Sequence, residues 1–494
     1  MRGGNLSLNH WALSLDSFWL VDVLLYAVAV LVGGVHPQLL HLVPSVVAAA
    51  VICLGAWIAQ RGHGRWAGVP AAGTVIVMLG LPTHAFAAFF LLGPLHVTTT
   101  LWCLIAFTAL RRARFGLGWA LAIVMLAAGM LGDLQTVVLG VAPIALAGVV
   151  TTLRRREWRA GAPAVSAAIC SVALAEIVRH LARVIGTFTI APANPRASFH
   201  QMLQNIHHVI TYGAALEGVG YHPFGSQAVP LVLELAHGVG LLLGLAAVVV
   251  ALVSLVRSSV TSDRLSQLTD EELAIRSESA WFEDVLAFAF IGGCAVFVWL
   301  SFSASGAFGR YLSSAVIFGS ILAARLVGRI AERLTSTGPG AAMSAAALFV
   351  SAGYIATFAT TVTAAPVRQP AVALATYLKS HHLTHGIGDY WSSSIVTVES
   401  SAAVVIRPVI ALPGGTHLAR YMRQTSSEWY DGRFEFLVYN ASAPWGSVGA
   451  QSAEASFGPP QHIAKVGTYR VLTWAHQLTI EPNGTYARQP WLKR

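Results

Sequence analysis

The first candidate for chemistry is a single carboxylate, that of Asp133. It lies in a short polar stretch, residues 132–136, between two long apolar runs at 117–130 and 137–150. A charged carboxylate costs roughly 2.5–3.5 kcal/mol at the centre of a membrane helix, and less near the interface. Glycine and aspartate are also common turn residues, so the stretch is either an ordinary helical hairpin or the centre of an acidic site. In the second case Asp133 is a candidate catalytic base.

Two further acids, Asp16 and Asp22, flank the aromatic segment at residues 17–21. Carboxylates at this spacing do not share a face of a helix, so they form no local pair. Both are also well placed to cap the start of a helix. We treat them as additional candidate catalytic residues, which would act with Asp133 only if the fold brings them together.

Two histidines, His84 and His96, fall on one predicted loop and could reach Asp133 as substrate-binding residues. The spacing of the histidines is not that of metal ligands, and solvated or interfacial positions would explain them as well. We therefore predict no metal ligands and no cofactor, although a divalent metal at a phosphate group stays an open alternative. The four cysteines fall inside apolar runs, which is typical of small buried hydrophobic residues.

Arg310 and Tyr311 precede an apolar run that starts at the same predicted face as Asp133. An arginine can bind a phosphate group through two parallel hydrogen bonds. It can also extend along the lipid chains to the interface. The sequence thus predicts either substrate binding or interfacial anchoring for this pair.

The composition identifies the class of protein that positions these residues. The chain has 494 residues, of which 55% are hydrophobic and 11% charged, against about 25% charged in soluble domains. Long apolar runs recur, which predicts a polytopic α-helical membrane protein with roughly ten transmembrane helices. Basic clusters at 111–114 and 154–156 mark the cytoplasmic face, so Asp133 is expected at the external face. The net charge of +9 indicates contact with anionic lipid and not with nucleic acid.

The order of segments predicts two domains. Residues 1–363 form a multi-pass transmembrane domain, with an interfacial helix at 17–32, a turn or re-entrant segment at 82–94 and a long external loop at 184–227. Residues 364–494, richer in glycine, proline, serine and charged residues, form an extracytoplasmic soluble α/β domain. Its β-type runs lie at 395–398, 402–406, 434–439 and 469–474.

Several short motifs together resemble one family. They are residues 13–19, 132–133, 309–311, 386–391 and 429–431. With the many spans, the external acids and the C-terminal domain, they resemble the GT-C membrane glycosyltransferases, in particular actinobacterial members. The resemblance implies inverting transfer of a sugar from a polyprenyl-phosphate donor to a glycan or protein acceptor of the cell envelope. The site would then face outward from a bacterial plasma membrane.

The resemblance also implies roles for single residues. Family members carry an essential Asp or Glu, the general base, in the external loop after the first span. Asp133 would be the second external acid, and Arg310 would bind the donor phosphate. Because the chain begins after the expected position of that loop, we expect an upstream transmembrane helix. Asp389 and Trp391 are expected to bind substrate, since aromatic faces stack on sugar rings, although a core position would equally explain Trp391.

Two other functions stay open. A transporter or flippase of lipid-linked glycans would also need charges in the membrane, but the sequence shows no internal repeat. A non-catalytic envelope protein derived from the GT-C fold is the third hypothesis. Detection of sugar transfer would separate the enzyme from both.

Overall fold

The computed structural model describes most of the chain between residues 8 and 480. The residues in this range that it does not describe are 15, 92–95, 113, 191–195, 221–230, 259–269, 301–305, 335–339, 364–369, 413, 415–416 and 444.

The N-terminal part is a bundle of helices. Their bounds are α1 (Asp22–Gly33), α2 (Leu39–Gln60), α3 (Arg65–Gly80), α4 (His84–Phe90), α5 (Val97–Ala109), α6 (Leu117–Gly132), α7 (Ala142–Arg155), α8 (Trp158–Ile185), α9 (Phe199–Leu216), α10 (Leu231–Ser258), α11 (Asp270–Trp299), α12 (Ser313–Leu334) and α13 (Gly340–Thr363). A π-helical turn, Val137–Val141, leads directly into α7, and a 3-10 turn, Gly306–Leu312, leads into α12.

Within the described residues, six helices are long and apolar enough to span a membrane, or seven if the bent pair α3–α4 counts as one span. This is fewer than the roughly ten expected. The reason is that α5 and α6 have only 13 and 16 residues, whereas a span needs about 20. The protein is a multi-pass membrane protein all the same.

Three local predictions have different outcomes. The turn or re-entrant segment predicted at 82–94 coincides with a sharp bend, since α4 is turned by 87° from the helix before it. Residues 92–95 lie outside the described residues. The interfacial helix begins at Asp22 and not at residue 17. The loop predicted at 184–227 is wrong in its middle, because Ser198 and Gln201 form a capping box that starts the 18-residue helix α9.

The bundle packs around α12, which contacts α2, α3, α10 and α11. Its first three turns, from Ser313 to Ala324, are buried. Small residues allow the closest helix contacts: a Cβ atom added to Gly161 on α8 would lie 1.9 Å from the carbonyl oxygen of Gly148 on α7. Such close packing of small residues is the usual basis of helix association in a membrane.

The C-terminal part is an α/β domain, as predicted. Its elements are α14 (Pro370–Ser380), β3 (His385–Gly388), α15 (Tyr390–Glu399), β4 (Val405–Ala411), β5 (Leu418–Arg420), β6 (Thr425–Ser426), β7 (Phe434–Asn440), α16 (Ala450–Phe457), β8 (His462–Val466) and β9 (Tyr469–Leu478). A six-stranded mixed sheet has the order β5-β4-β3-β7-β9-β8, with β3 parallel to both β4 and β7. Of the predicted β-type runs, 434–439 and 469–474 are strands, 402–406 overlaps the start of β4, and 395–398 is wrong because it lies in α15.

A second, small sheet joins the two parts of the chain. It consists of β1 (Trp11–Leu13), β2 (Thr189–Ile190) and β6 of the C-terminal domain, in the order β2-β1-β6. Pairing of Trp11 with Ser426 and of Ala12 with Thr425 attaches the domain to the N-terminal segment. This contact lies next to the Asp133 turn, so the domain and Asp133 are at the same end of the bundle.

Candidate functional site

The Asp133 turn is shaped by the close approach of the N-terminal segment. Helix α6 ends at Gly132, where an added Cβ atom would lie 2.5 Å from a methyl group of Val21. Only glycine therefore allows residues 17–21 to cross the end of the helix. The Phe18 N–H donates to the Gly132 carbonyl at 2.7 Å, and the Ser17 hydroxyl donates to the Leu131 carbonyl at 3.2 Å.

Asp133 itself is fully buried and hydrogen-bonded. His96 Nδ1 lies 2.7 Å from Oδ2, the Thr99 hydroxyl donates to Oδ2 at 2.6 Å, and the Gln135 N–H donates to Oδ1 at 3.0 Å. Burial alone raises the pKa of Asp133, but the His96 charge and these hydrogen bonds outweigh it and hold the pKa below its ordinary value. Asp133 is therefore a carboxylate with its partners in place.

His96 is held by the start of α5. Its backbone is left-handed, with φ 71°, immediately before the first residue of that helix. Burial lowers the pKa of His96, but the charge of Asp133 and its hydrogen bond raise it further, so the net shift is upward. The imidazole packs against the rings of Tyr311 at 4.7 Å and Phe18 at 5.5 Å. Of the two predicted histidines, His96 joins Asp133, whereas His84 is exposed at the start of α4 and is not a partner of Asp133.

Asp16 is a half-buried carboxyl on the segment that crosses α6. Burial and the nearby charge of Asp133 raise its pKa to about 6, while His96, Arg310 and Arg423 act in the opposite direction. Its charge is thus coupled to those of the predicted site residues. The fold does bring this acid to Asp133, which sequence spacing alone left undecided.

Asp22, the first residue of α1, is buried at the same end. Its Oδ1 accepts a hydrogen bond of 2.6 Å from the Thr98 hydroxyl, and its charge interacts with those of Asp133 and His96. Asp22 therefore belongs to the acidic cluster. It also lies at the start of a helix, the alternative position that the sequence predicted for it.

Arg310 and Tyr311 reach the cluster from the 3-10 turn before α12. The Arg310 guanidinium lies 5.1 Å from the Tyr311 ring, which is buried against His96. The charge of Arg310 interacts with Asp16 and with Tyr390 of the C-terminal domain. This places a cation between the acidic cluster and that domain, where an anionic group could be bound.

The two residues predicted in the C-terminal domain differ in their surroundings. Asp389 is buried and caps α15: its carboxylate accepts hydrogen bonds from the Ser392 N–H at 3.0 Å and the Asn440 N–H at 3.2 Å. This is a structural role for Asp389. Trp391 is 62% exposed, with its ring 5.1 Å from that of Tyr390.

Sequence reasoning missed several partners of the acidic cluster formed by Asp16, Asp22 and Asp133. Thr98 and Thr99 supply hydroxyl donors from inside a short apolar helix, Gln135 supplies a backbone donor, and Arg423 supplies a charge from the C-terminal domain. The one available signal was the run of three threonines directly after His96. Among the described residues, no group of three or more His, Cys, Asp or Glu side chains could hold a metal ion.

These features define a multi-pass α-helical membrane protein whose acidic cluster lies where a C-terminal α/β domain docks. No protein-family model and no curated protein matches the sequence. Among solved structures, the chain is similar to the oligosaccharyltransferase of Archaeoglobus fulgidus, crystallised with a tethered acceptor peptide that contains an NVT sequon. The match covers 78% of this chain and 55% of that chain, with 14% identity and a TM-score of 0.42.

The chain thus spans little more than half the length of that enzyme.

Proposed function

We propose that the protein is a membrane glycosyltransferase that moves a sugar from a polyprenyl-phosphate donor to a glycan or protein of the cell envelope. The observation that carries this proposal is the cluster of Asp16, Asp133, His96 and Arg310 at one end of the bundle. A largely buried carboxyl with a raised pKa lies there beside fixed charges and an arginine. Acceptor deprotonation next to a departing phosphate requires these groups.

Asp16 is the better candidate for the base. Asp133 is fully buried, and its carboxylate already accepts hydrogen bonds from His96, Thr99 and Gln135. Asp16 is partly accessible, and a pKa of about 6 leaves it deprotonated and basic near neutral pH. Asp133 then acts through Asp16, because its fixed negative charge raises the affinity of Asp16 for a proton.

The proposed step is a single displacement. Asp16 takes the proton from the acceptor group, and the acceptor atom bonds to the anomeric carbon of the donor. The bond between that carbon and the phosphate oxygen breaks, and the electron pair leaves with the polyprenyl phosphate. Arg310, with Arg423 nearby, stabilises the negative charge of the departing phosphate.

Aromatic residues of the C-terminal domain support an acceptor site on the same side. The ring of Tyr390 lies 4.9 Å from Tyr421 and 5.6 Å from Trp445, and Trp391 is exposed beside it. The buried rings hold Tyr390 in place, and the exposed ring of Trp391 offers a face on which a sugar ring can stack. In the proposed topology this domain is extracytoplasmic, in a bacterial plasma membrane, and the basic clusters at the other end of the bundle are cytoplasmic.

The test is transfer of labelled sugar from a synthetic polyprenyl-phosphate donor by the full-length protein in liposomes. Asp16→Asn should lower the initial rate by about 10²- to 10⁴-fold, the usual contribution of a general base. The matched control is Asp431→Asn, which removes a 70% exposed carboxylate of the C-terminal domain and should leave the rate unchanged. Equal rates for wild type and Asp16→Asn would remove Asp16 from the mechanism.

The same liposomes distinguish the alternatives. Movement of the lipid-linked sugar between leaflets without transfer would favour a flippase, and neither activity would favour a non-catalytic envelope protein. A chelator added to the transfer assay tests the divalent metal, which stays a proposal.

A further inference from the structure

The side chain of Gln424, in the C-terminal domain, makes hydrogen bonds to the segment that carries Asp16. Gln424 lies just before β6, and its backbone is left-handed, with φ 54°. Its Nε2 atom lies 2.9 Å from the Ser14 hydroxyl oxygen, 3.2 Å from the Asp16 carbonyl oxygen and 3.3 Å from the Ser17 carbonyl oxygen. An amide NH₂ group has two hydrogens, so these acceptors share them.

We propose that Gln424 is a positioning residue for Asp16: the C-terminal domain fixes the segment that carries the proposed base by donating hydrogen bonds to its backbone. The inference rests on the proposed function, in which Asp16 is the base. The C-terminal domain would then complete the catalytic site by holding Asp16 in place, in addition to any role in acceptor binding.

The surrounding contacts support this role. Residues 425–426 pair with β1 just before the Asp16 segment, and the Trp11 and Trp429 rings are in contact at 5.0 Å. On the other side, Ser17 and Phe18 donate hydrogen bonds to carbonyl groups at the end of α6. Asp16 thus lies on a short connection anchored to the bundle at one end and to the C-terminal domain at the other, with Gln424 between the two anchors.

Two variants separate the side chain from the backbone strain. Gln424→Gly relieves the left-handed backbone conformation but removes the amide. Gln424→Met keeps about the length of the side chain, carries no charge and removes the hydrogen-bond donor. The matched control is Gln461→Ala, an exposed glutamine of the same domain. Thermal unfolding of each full-length variant confirms that it is folded.

The first measurement does not depend on activity. A hydrophobic carbodiimide reacts with a protonated carboxyl, and mass spectrometry gives the labelled fraction of Asp16 at each pH. The groups that set its titration are Asp133, His96, Tyr311, Arg310 and Arg423. The wild-type midpoint should lie near 6. In both Gln424 variants the freed segment moves Asp16 toward water, and the midpoint should fall by about one pH unit toward the ordinary aspartate value.

The second measurement is the transfer rate, which should fall about 10- to 100-fold in both variants because the base is misplaced. The KM for the donor should stay unchanged. An unchanged labelling midpoint in both variants overturns the inference, even if the rate falls, since a general structural defect would then explain the loss. If wild type transfers no sugar, the proposed function fails, and the labelling midpoint still decides whether Gln424 fixes Asp16.

Discussion

The two ends of the helical bundle use charged residues in opposite ways. At the end with the basic clusters, acids are matched by arginines. Arg154 forms two hydrogen bonds to Asp284, at 2.5 and 3.0 Å, and Arg329 lies 3.1 Å from Glu283. Arg325, fully buried, donates to the Ile58 carbonyl at 2.7 Å and to the Ser279 hydroxyl, also at 2.7 Å. This end consists of complementary partners that join α2, α7, α11 and α12.

At the other end, three carboxyl groups of like charge lie together. Asp133 is hydrogen-bonded to an imidazole, a hydroxyl and a backbone amide. Its negative charge repels those of Asp16 and Asp22. A like-charge cluster costs stability, whereas matched pairs hold a buried charge in place. The comparison supports our proposal that the acidic end carries the chemistry, whereas the arginine-rich end stabilises the bundle.

Among the changes that compare the two ends, the largest effect on transfer should come from removing the buried carboxylate of Asp133. Asp133→Asn should lower transfer about 100-fold, because the lost charge leaves His96 without its partner and makes Asp16 a weaker base. Asp284→Asn is the matched change at the other end and should leave the transfer rate per folded molecule unchanged. Initial rates in liposomes compare the two. Equal losses of transfer rate in the two variants would contradict the proposal that only the acidic end takes part in the reaction.

A smaller effect is expected from pH. Since the pKa of Asp16 is raised to about 6, transfer should be constant above neutral pH. Below pH 6 it should fall about tenfold per pH unit, as the base becomes protonated. Asp133→Asn removes a charge that raises this pKa, so its acid limb should move to lower pH. A wild-type limb near pH 4, the ordinary aspartate value, would contradict the role of Asp16.

The smallest effect on transfer, and the clearest on stability, should come from the arginine-rich end. Asp284→Asn leaves Arg154 without its carboxylate, which costs about 3–5 kcal/mol for a buried pair. Asp16→Asn should instead increase the free energy of unfolding. Because the folded protein raises the pKa of Asp16, it holds a neutral side chain more favourably than a charged one at neutral pH. Thermal unfolding in detergent measures both. Destabilisation by Asp16→Asn would show that Asp16 is a structural acid.

The sequence predicted the parts of the site that interrupt a local pattern. Asp133 breaks two apolar runs, and His96 and Arg310 lie at the ends of others, so each could be found without the fold. The partners that depend on tertiary contacts could not. Gln424 donates a hydrogen bond to Ser14, which lies 410 positions earlier in the sequence. No local sequence pattern predicts this contact.

The strand predicted at 395–398 failed for a similar reason. A run of β-branched residues, Ile395 to Val398, favours a strand locally, but Asp389 caps a helix through this run. Packing of this helix, α15, against α14 and β4 stabilises it further. The domain's fold class was predictable from composition, whereas the state of this segment depended on its tertiary partners.

The shortness of α5 and α6 affects where the acidic cluster lies relative to the membrane surface. At 1.5 Å per residue, 13 and 16 residues give lengths of about 20 and 24 Å, against about 30 Å of hydrocarbon. Both helices meet at the His96–Asp133 end, and at their other end the chain is tied to α11 through Arg111 and Glu278. Because α5 is buried among other helices and α6 is buried at its Asp133 end, longer helices can surround them, and the acidic cluster would then lie in a recess below the membrane surface. In the proposed reaction, the donor phosphate would then approach Arg310 from the side, within the plane of its own leaflet.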